Sequence, residues 1–342
     1  MLKFNKLATA AALSIATSAI YMAPASAAAN AERWTFDGGI RNNSLAVSPD
    51  ESTAVVSYSE RPDVIVYDLR TSKVRRVLHG YVKPCNIVFA PSGNAFYISD
   101  SSLGTVTKVD SQSLEATSRL PLGAGAFGTT ISKDGKTLYV NNQASSTVTT
   151  IDLDSEQPRT FITGFAQLLQ GVRLSPNGEK LYVTNFLGDK ITIVDSKTNK
   201  IEGEIGGFNK IRAISVTAGG KTLFAANSGS NTVAVVDSNK NEITSTIPVG
   251  KDPYGAALTP NEKYVYLGNL ADNILSVISV ASMKVVATEN GFRQPRQAIV
   301  FTRDAKSAYV LNEDLSLSTV DLASNQITGT MTPTITTAST EK

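Results

Sequence analysis

Beyond residue 27 the apolar positions fall in short runs that alternate with polar ones and are bounded by Gly, Asn, Asp and Pro. Runs such as Ala95 to Ile98 and Leu181 to Thr184 are rich in β-branched and aromatic side chains. Others, such as Ile65 to Asp68, Val106 to Asp110 and Val233 to Asp237, alternate and end in Asp. A two-residue period with these residue types predicts β-strands joined by tight turns. No segment of this region sustains a 3.6-residue apolar period, so almost no helix is expected.

The runs repeat as a unit. A turn signal recurs at Ser48-Pro49-Asp50, Pro91-Ser92-Gly93, Lys133-Asp134-Gly135, Pro176-Asn177-Gly178, Ala218-Gly219-Gly220, Pro260-Asn261-Glu262 and Arg303-Asp304-Ala305. Successive copies from Pro49 lie 42, 42, 43, 42, 42 and 43 residues apart. Each copy carries four runs: a small apolar one before the turn, an aromatic one after it, the run closed by Asp, and a more polar run closed by glycine. One four-stranded unit cannot bury both its faces, whereas a closed ring packs every unit between two neighbours. β-Helix coils have shorter periods and immunoglobulin-like units need about twice this length. The predicted fold is all-β: a seven-bladed β-propeller with four antiparallel strands per blade.

One Trp and one His cannot supply the WD signature in seven blades. Tyr182-Val183-Thr184-Asn185, however, reads YVTN, and weaker versions stand at Tyr139 to Asn142, Phe224 to Asn227, Tyr266 to Asn269 and Tyr309 to Asn312. With Ser175 to Leu181 before it, this pattern resembles the YVTN-repeat, YncE-like β-propeller family over residues 34 to 331. The resemblance implies the fold; a propeller hosts many unrelated activities, so it implies little about function.

The N-terminus has the pattern of an export signal. Lys3 and Lys6 precede an uncharged stretch from Leu7 to Met22, and Ala25-Ser26-Ala27 offers a small-x-small cleavage site. Residues 1–27 are therefore expected to be a signal peptide cleaved near Ala27, 28–331 a single propeller domain, and 332–342 a disordered tail. The expected location is the periplasm or the exterior. A single cysteine, Cys85, forms no internal disulfide, so stability must come from packing. Removing Lys3 and Lys6 leaves 30 basic and 30 acidic residues, and a neutral chain has no bulk attraction to nucleic acid or anionic membrane. Trp34 to Gly39 and Ile327 to Met331 both fit a fourth strand, so eight candidates compete for seven outer positions, and one terminus is expected to close the ring beside the other's strands.

Residues repeated in every blade are read as structural. The aspartates closing the third strand (Asp68, Asp110, Asp152, Asp195, Asp237 and Asp321, with Ser279 in the sixth blade) suit turn amides. So do Asn142, Asn185, Asn227, Asn269 and Asn312 at the end of the second strand, where Tyr58 and Asp100 depart from the pattern. Function should lie where copies disagree. Six residues before each turn stand Asn43, Cys85, Phe127, Gln170, Arg212, Tyr254 and Gln297, at one channel mouth. Arg41, Lys83, Lys210, Lys251, Arg293 and Arg296 flank them, with Phe186 adding aromatic surface. Arg173 is a lone charge in an inner strand that elsewhere holds Ala, Val, Thr or Ser.

The candidate ligand-binding set is thus Asn43, Cys85, Phe127, Gln170, Arg173, Arg212, Tyr254, Arg296 and Gln297. It suits a small anionic ligand or an acidic segment of an envelope or secreted protein. No catalytic residue is assigned, since a Ser-His-Asp device would rest on His79 alone. No cofactor is expected. The alternative is Ca²⁺, as in lactonase-like hydrolases, with Glu60, Asp100, Asp189, Asp272, Glu313 and Asp314 as oxygen ligands. A third reading, stacking of single-stranded nucleic acid on the basic and aromatic rim, is disfavoured by the neutral charge. Membrane insertion is not expected, and the chain is expected to be a monomer.

Overall fold

A computed structural model describes residues 41–166 and 169–333, with the side chain of Gln170 left out. The expected export signal, Trp34 to Gly39 and most of the expected disordered tail lie outside the described residues. Those described form seven four-stranded antiparallel sheets and no helix. The inner strands are Asn43–Val47, Pro84–Phe89, Ala126–Ile131, Leu169–Leu174, Ile211–Val216, Ala257–Leu258 and Ile299–Phe301. They hold small and branched residues because they crowd around the ring axis. The second and third strands are almost wholly buried between neighbouring blades, and the fourth are the most exposed. In every blade the pairing of third and fourth strands slips once. Such a bulge increases the local twist.

Most of the repeated polar residues bond turn amides as their chemistry predicts; Asn185 and Asn269 instead donate to strand groups, among them Thr192 Oγ1 and Ser276 Oγ. Asp68, Asp110, Asp195, Asp237 and Asp321 accept from amides two or three residues on. Asn142 bridges the carbonyls of Leu122 and Gly123 to the amides of Ala144 and Ser145. Asp100 takes the same place in the second blade and accepts from the amides of Val82, Lys83, Ser102 and Leu103.

Of the two candidates for the last outer position, the C-terminal one holds it, and the other, Trp34 to Gly39, lies outside the described residues. Each sheet consists of four strands consecutive in the chain, and Gln326–Met331 is the outer strand of the seventh blade. The seam between blades seven and one is therefore held by side chains. Leu45, Val56, Ile65 and Tyr67 pack on Leu311, Leu315 and Leu317, and Tyr67 Oη donates to the Leu315 carbonyl at 2.7 Å. Glu51 accepts from the Arg303 amide at 2.6 Å on the same seam. Tyr67 replaces the Val or Ile that the other six blades carry just before the residue closing their third strand.

Candidate functional site

At the face where the inner strands begin, cationic and aromatic side chains stack one upon the next across five blades. The Arg212 guanidinium of blade five lies 4.6 Å from the Phe186 ring of blade four and 4.3 Å from the Tyr254 ring of blade six. Arg296 of blade seven lies 5.2 Å from Tyr254 and 5.6 Å from the Tyr58 ring of blade one. Each such contact is worth roughly 0.5–2 kcal/mol, more as water is excluded. The stack is pinned by hydrogen bonds: Tyr254 Oη and Arg296 Nη1 both donate to the Arg41 carbonyl, at 2.9 and 3.0 Å. Arg212 Nε reaches Ser228 Oγ at 3.3 Å, and its Nη2 lies 3.8 Å from Asp252. Glycines make the close approach of blades six and seven possible. A Cβ at Gly268 would strike the Pro295 carbonyl, and one at Gly255 would lie 2.6 Å from Gln297 Cα.

The remaining rim residues complete a plug. Cys85 and Phe127 are buried and pack with Phe186. Asn42 donates to the Cys85 carbonyl at 2.5 Å and accepts from Gln297 Nε2 at 2.6 Å, while Asn43 donates across the seam to the Leu311 carbonyl at 3.5 Å. Burial pushes the Cys85 thiol up to about 12, so at neutral pH it is a protonated filler and no nucleophile. Asn43, Cys85, Phe127, Arg212, Tyr254, Arg296 and Gln297 thus gather at one mouth, as their spacing predicts. All but Arg212 and Gln297 are buried there, spent on one another. Asn42 and Tyr58 belong to the same constellation and stand outside the predicted set. Tyr58 had a signal, its departure from the repeated Asn; Asn42 had none.

Behind the plug, a cavity of about 600 Å³ runs along the ring axis. Asn42, Phe127 and Gln297 line its inner end, and its lining continues to Ala218, Pro260 and Glu262 in the first turns at the opposite face. Arg173 stands in this cavity, three residues and about 10 Å along the inner strand from Gln170. Among the described residues it is the only cation of the lining. Glu262, the only carboxylate, is held at the far face by the Ala218 amide. No hydrogen bond or ion pair joins Arg173 to another described residue. Its side chain is exposed to the open space of the channel, and the protein packed around it lowers its pKa by desolvation.

The other chemical candidates are dispersed. His79 is exposed and pairs with Asp63 at 2.8 Å. Asp189 and Asp272 accept from the amides of Lys210 and Lys251, both at 2.6 Å, and Asp314 pairs with Arg293 at 2.9 Å. Among the described residues, no three His, Cys, Asp or Glu come together as a metal site would require.

Ring and cavity define a seven-bladed β-propeller with one plugged and one open channel mouth. No family model and no curated protein matches the chain. Among solved structures it is similar to a chain of hydrazine synthase from Kuenenia stuttgartiensis, with a TM-score of 0.73 at 19% identity over 85% of this chain and 95% of that one. At that identity the likeness concerns the fold.

Proposed function

We propose that this propeller is an exported, non-enzymatic binding module that takes a small anion, or an anionic group of a partner, at the ring axis. The YVTN-like repeats are in keeping with that reading. One observation carries it: Arg173, a guanidinium inside the channel with no counter-charge among the described residues. A guanidinium exposed to a concave channel and without a counter-charge offers a fixed cationic fork to an anion that enters it. The plugged mouth is the weaker candidate, because its guanidinium groups are already stacked and hydrogen-bonded.

The test is thermal denaturation of the full chain and of Arg173→Gln with acetate, octanoate, phosphate and sulfate, each at fixed ionic strength. At least one anion should raise the Tm of the wild type and leave Arg173→Gln unmoved. Without ligand, Arg173→Gln should melt no lower than the wild type, since it removes an uncompensated charge. No shift with any of the four anions, or equal shifts in both proteins, would sink the reading.

A further inference from the structure

The register of the blades shows what surrounds Arg173. It lies opposite Tyr182 on the second strand. The same cross-strand position holds Val88 opposite Tyr97, Thr130 opposite Tyr139, Ser215 opposite Phe224, Ala257 opposite Tyr266 and Val300 opposite Tyr309. These six residues therefore form one belt around the axis, and all six line the cavity. In blade one the position is Ala46, which is buried.

In ring order the belt has two sides. Blades three, four and five supply Thr130, Arg173 and Ser215 in succession, so the guanidinium is flanked by two hydroxyl residues. Blades six, seven, one and two supply Ala257, Val300, Ala46 and Val88, with no polar side chain among them. The Ser215 hydroxyl is itself buried, so Thr130, which is only half-buried, is the hydroxyl residue open to the cavity beside Arg173. At the height of this belt the lining matches a ligand with a charged head and an apolar body, while Asn42, Ser44, Asn86 and Gln297 line the cavity on one side of the belt and Thr259 on the other.

Charge restricts the head further. One guanidinium balances one negative charge, and its planar fork matches the two oxygens of a carboxylate. A phosphate monoester or dicarboxylate would bring a second charge into a lining with no second cation, and that charge would lose water without compensation.

Resting on the binding reading above, we infer that the belt at Arg173 is a binding site for an amphipathic monocarboxylate. Its carboxylate sits on Arg173 beside Thr130, and its hydrocarbon lies against Val300, Ala257 and Val88. The ligand enters from the face of Pro260 and Glu262, because the other mouth is plugged. A cavity of about 600 Å³ is within the usual size of small-molecule sites.

Calorimetric titration of the full chain with acetate, butyrate, hexanoate, octanoate, octanamide, suberate and phosphate tests this class. Affinity should rise from acetate to octanoate by up to about fourfold per methylene buried. Octanamide, suberate and phosphate should each bind at least tenfold more weakly than octanoate. Arg173→Gln should weaken octanoate by about 10–100-fold, and Val300→Asn should weaken octanoate while leaving acetate unchanged. Binding of phosphate or suberate through Arg173 in preference to octanoate overturns the monocarboxylate class and leaves the anion reading standing. Loss of every Arg173-dependent interaction overturns both.

Discussion

The seam between blades seven and one gives the most direct test of how the ring is held. Tyr67 is fully buried, and its hydroxyl donates to the Leu315 carbonyl at 2.7 Å. Tyr67→Phe keeps the ring in the cluster with Leu311, Leu315 and Leu317 but leaves that carbonyl without its partner in a dry interface. An orphaned buried acceptor costs about 1–3 kcal/mol. Tyr67→Ala also removes the ring and opens a cavity, for a loss of roughly 3–5 kcal/mol. For a domain of this size each kcal/mol lowers Tm by on the order of 2–4 °C. Equilibrium urea unfolding measures both values, with Ile151→Val, at the same repeat position in blade three, as a control expected to lose about 0.5–1.5 kcal/mol. Native-state hydrogen exchange should also show amides of the first and last blades exchanging earlier in Tyr67→Phe than those of blades three to five. A Tyr67→Phe protein within 0.5 kcal/mol of the wild type, with uniform exchange, would show that the seam does not depend on this bond.

Two further outcomes are expected. Cys85 has its pKa raised from an ordinary 9.0 to about 12 by burial, so the folded state holds a proton that the unfolded chain releases. The thiol's contribution is intact below pH 9 and is lost as pH rises toward 12, with a slope of up to about 1.4 kcal/mol per pH unit that Cys85→Ala should lack. An identical alkaline slope in both proteins contradicts this, as does rapid native-state labelling of the thiol. In the cation–aromatic stack, Arg212→Ala and Tyr254→Ala should be non-additive, with a coupling of roughly 0.5–2 kcal/mol in a double-mutant cycle of unfolding free energies; additivity within 0.3 kcal/mol would mean the stack holds nothing together.

The fold was legible in the sequence to an unusual degree, because each blade independently repeats the same instruction. The steps of 42 and 43 residues between turns and the Asp closing each third strand, Ser279 in the sixth blade, mark the edges of every sheet. The common rim was legible for the same reason: residues at equal distance from a turn must lie at equal height in a ring. What the repeat hides is the direction in which individual side chains settle. Arg212, Tyr254 and Arg296 stand apart in the chain, and nothing in their spacing says that each guanidinium lies over a neighbour's ring. That depends on Gly255 and Gly268 bringing backbones close, an effect visible only in three dimensions. Arg173 declared itself as an odd residue among Ala, Val, Thr and Ser, but its setting emerges only when that column is taken in ring order. Then Thr130 and Ser215 fall on either side of it. The Val and Ile that match Tyr67 in the other blades likewise mark the seam, once it is known that blades seven and one exchange no strand among the described residues.

Closure without strand exchange has a kinetic side. Every sheet can form from about forty contiguous residues, so loop closure within a blade is fast and inexpensive in entropy. Six of the seven interfaces then join sequence neighbours. The seventh brings together residues as far apart as Tyr67 and Leu315, 248 positions distant, and no hydrogen-bonded ladder among the described residues draws it shut. An open arc of stacked blades should therefore precede the finished ring, with docking of blade one on blade seven as the last and slowest step. Moving the chain ends to another connection between blades would relocate that step without altering any blade.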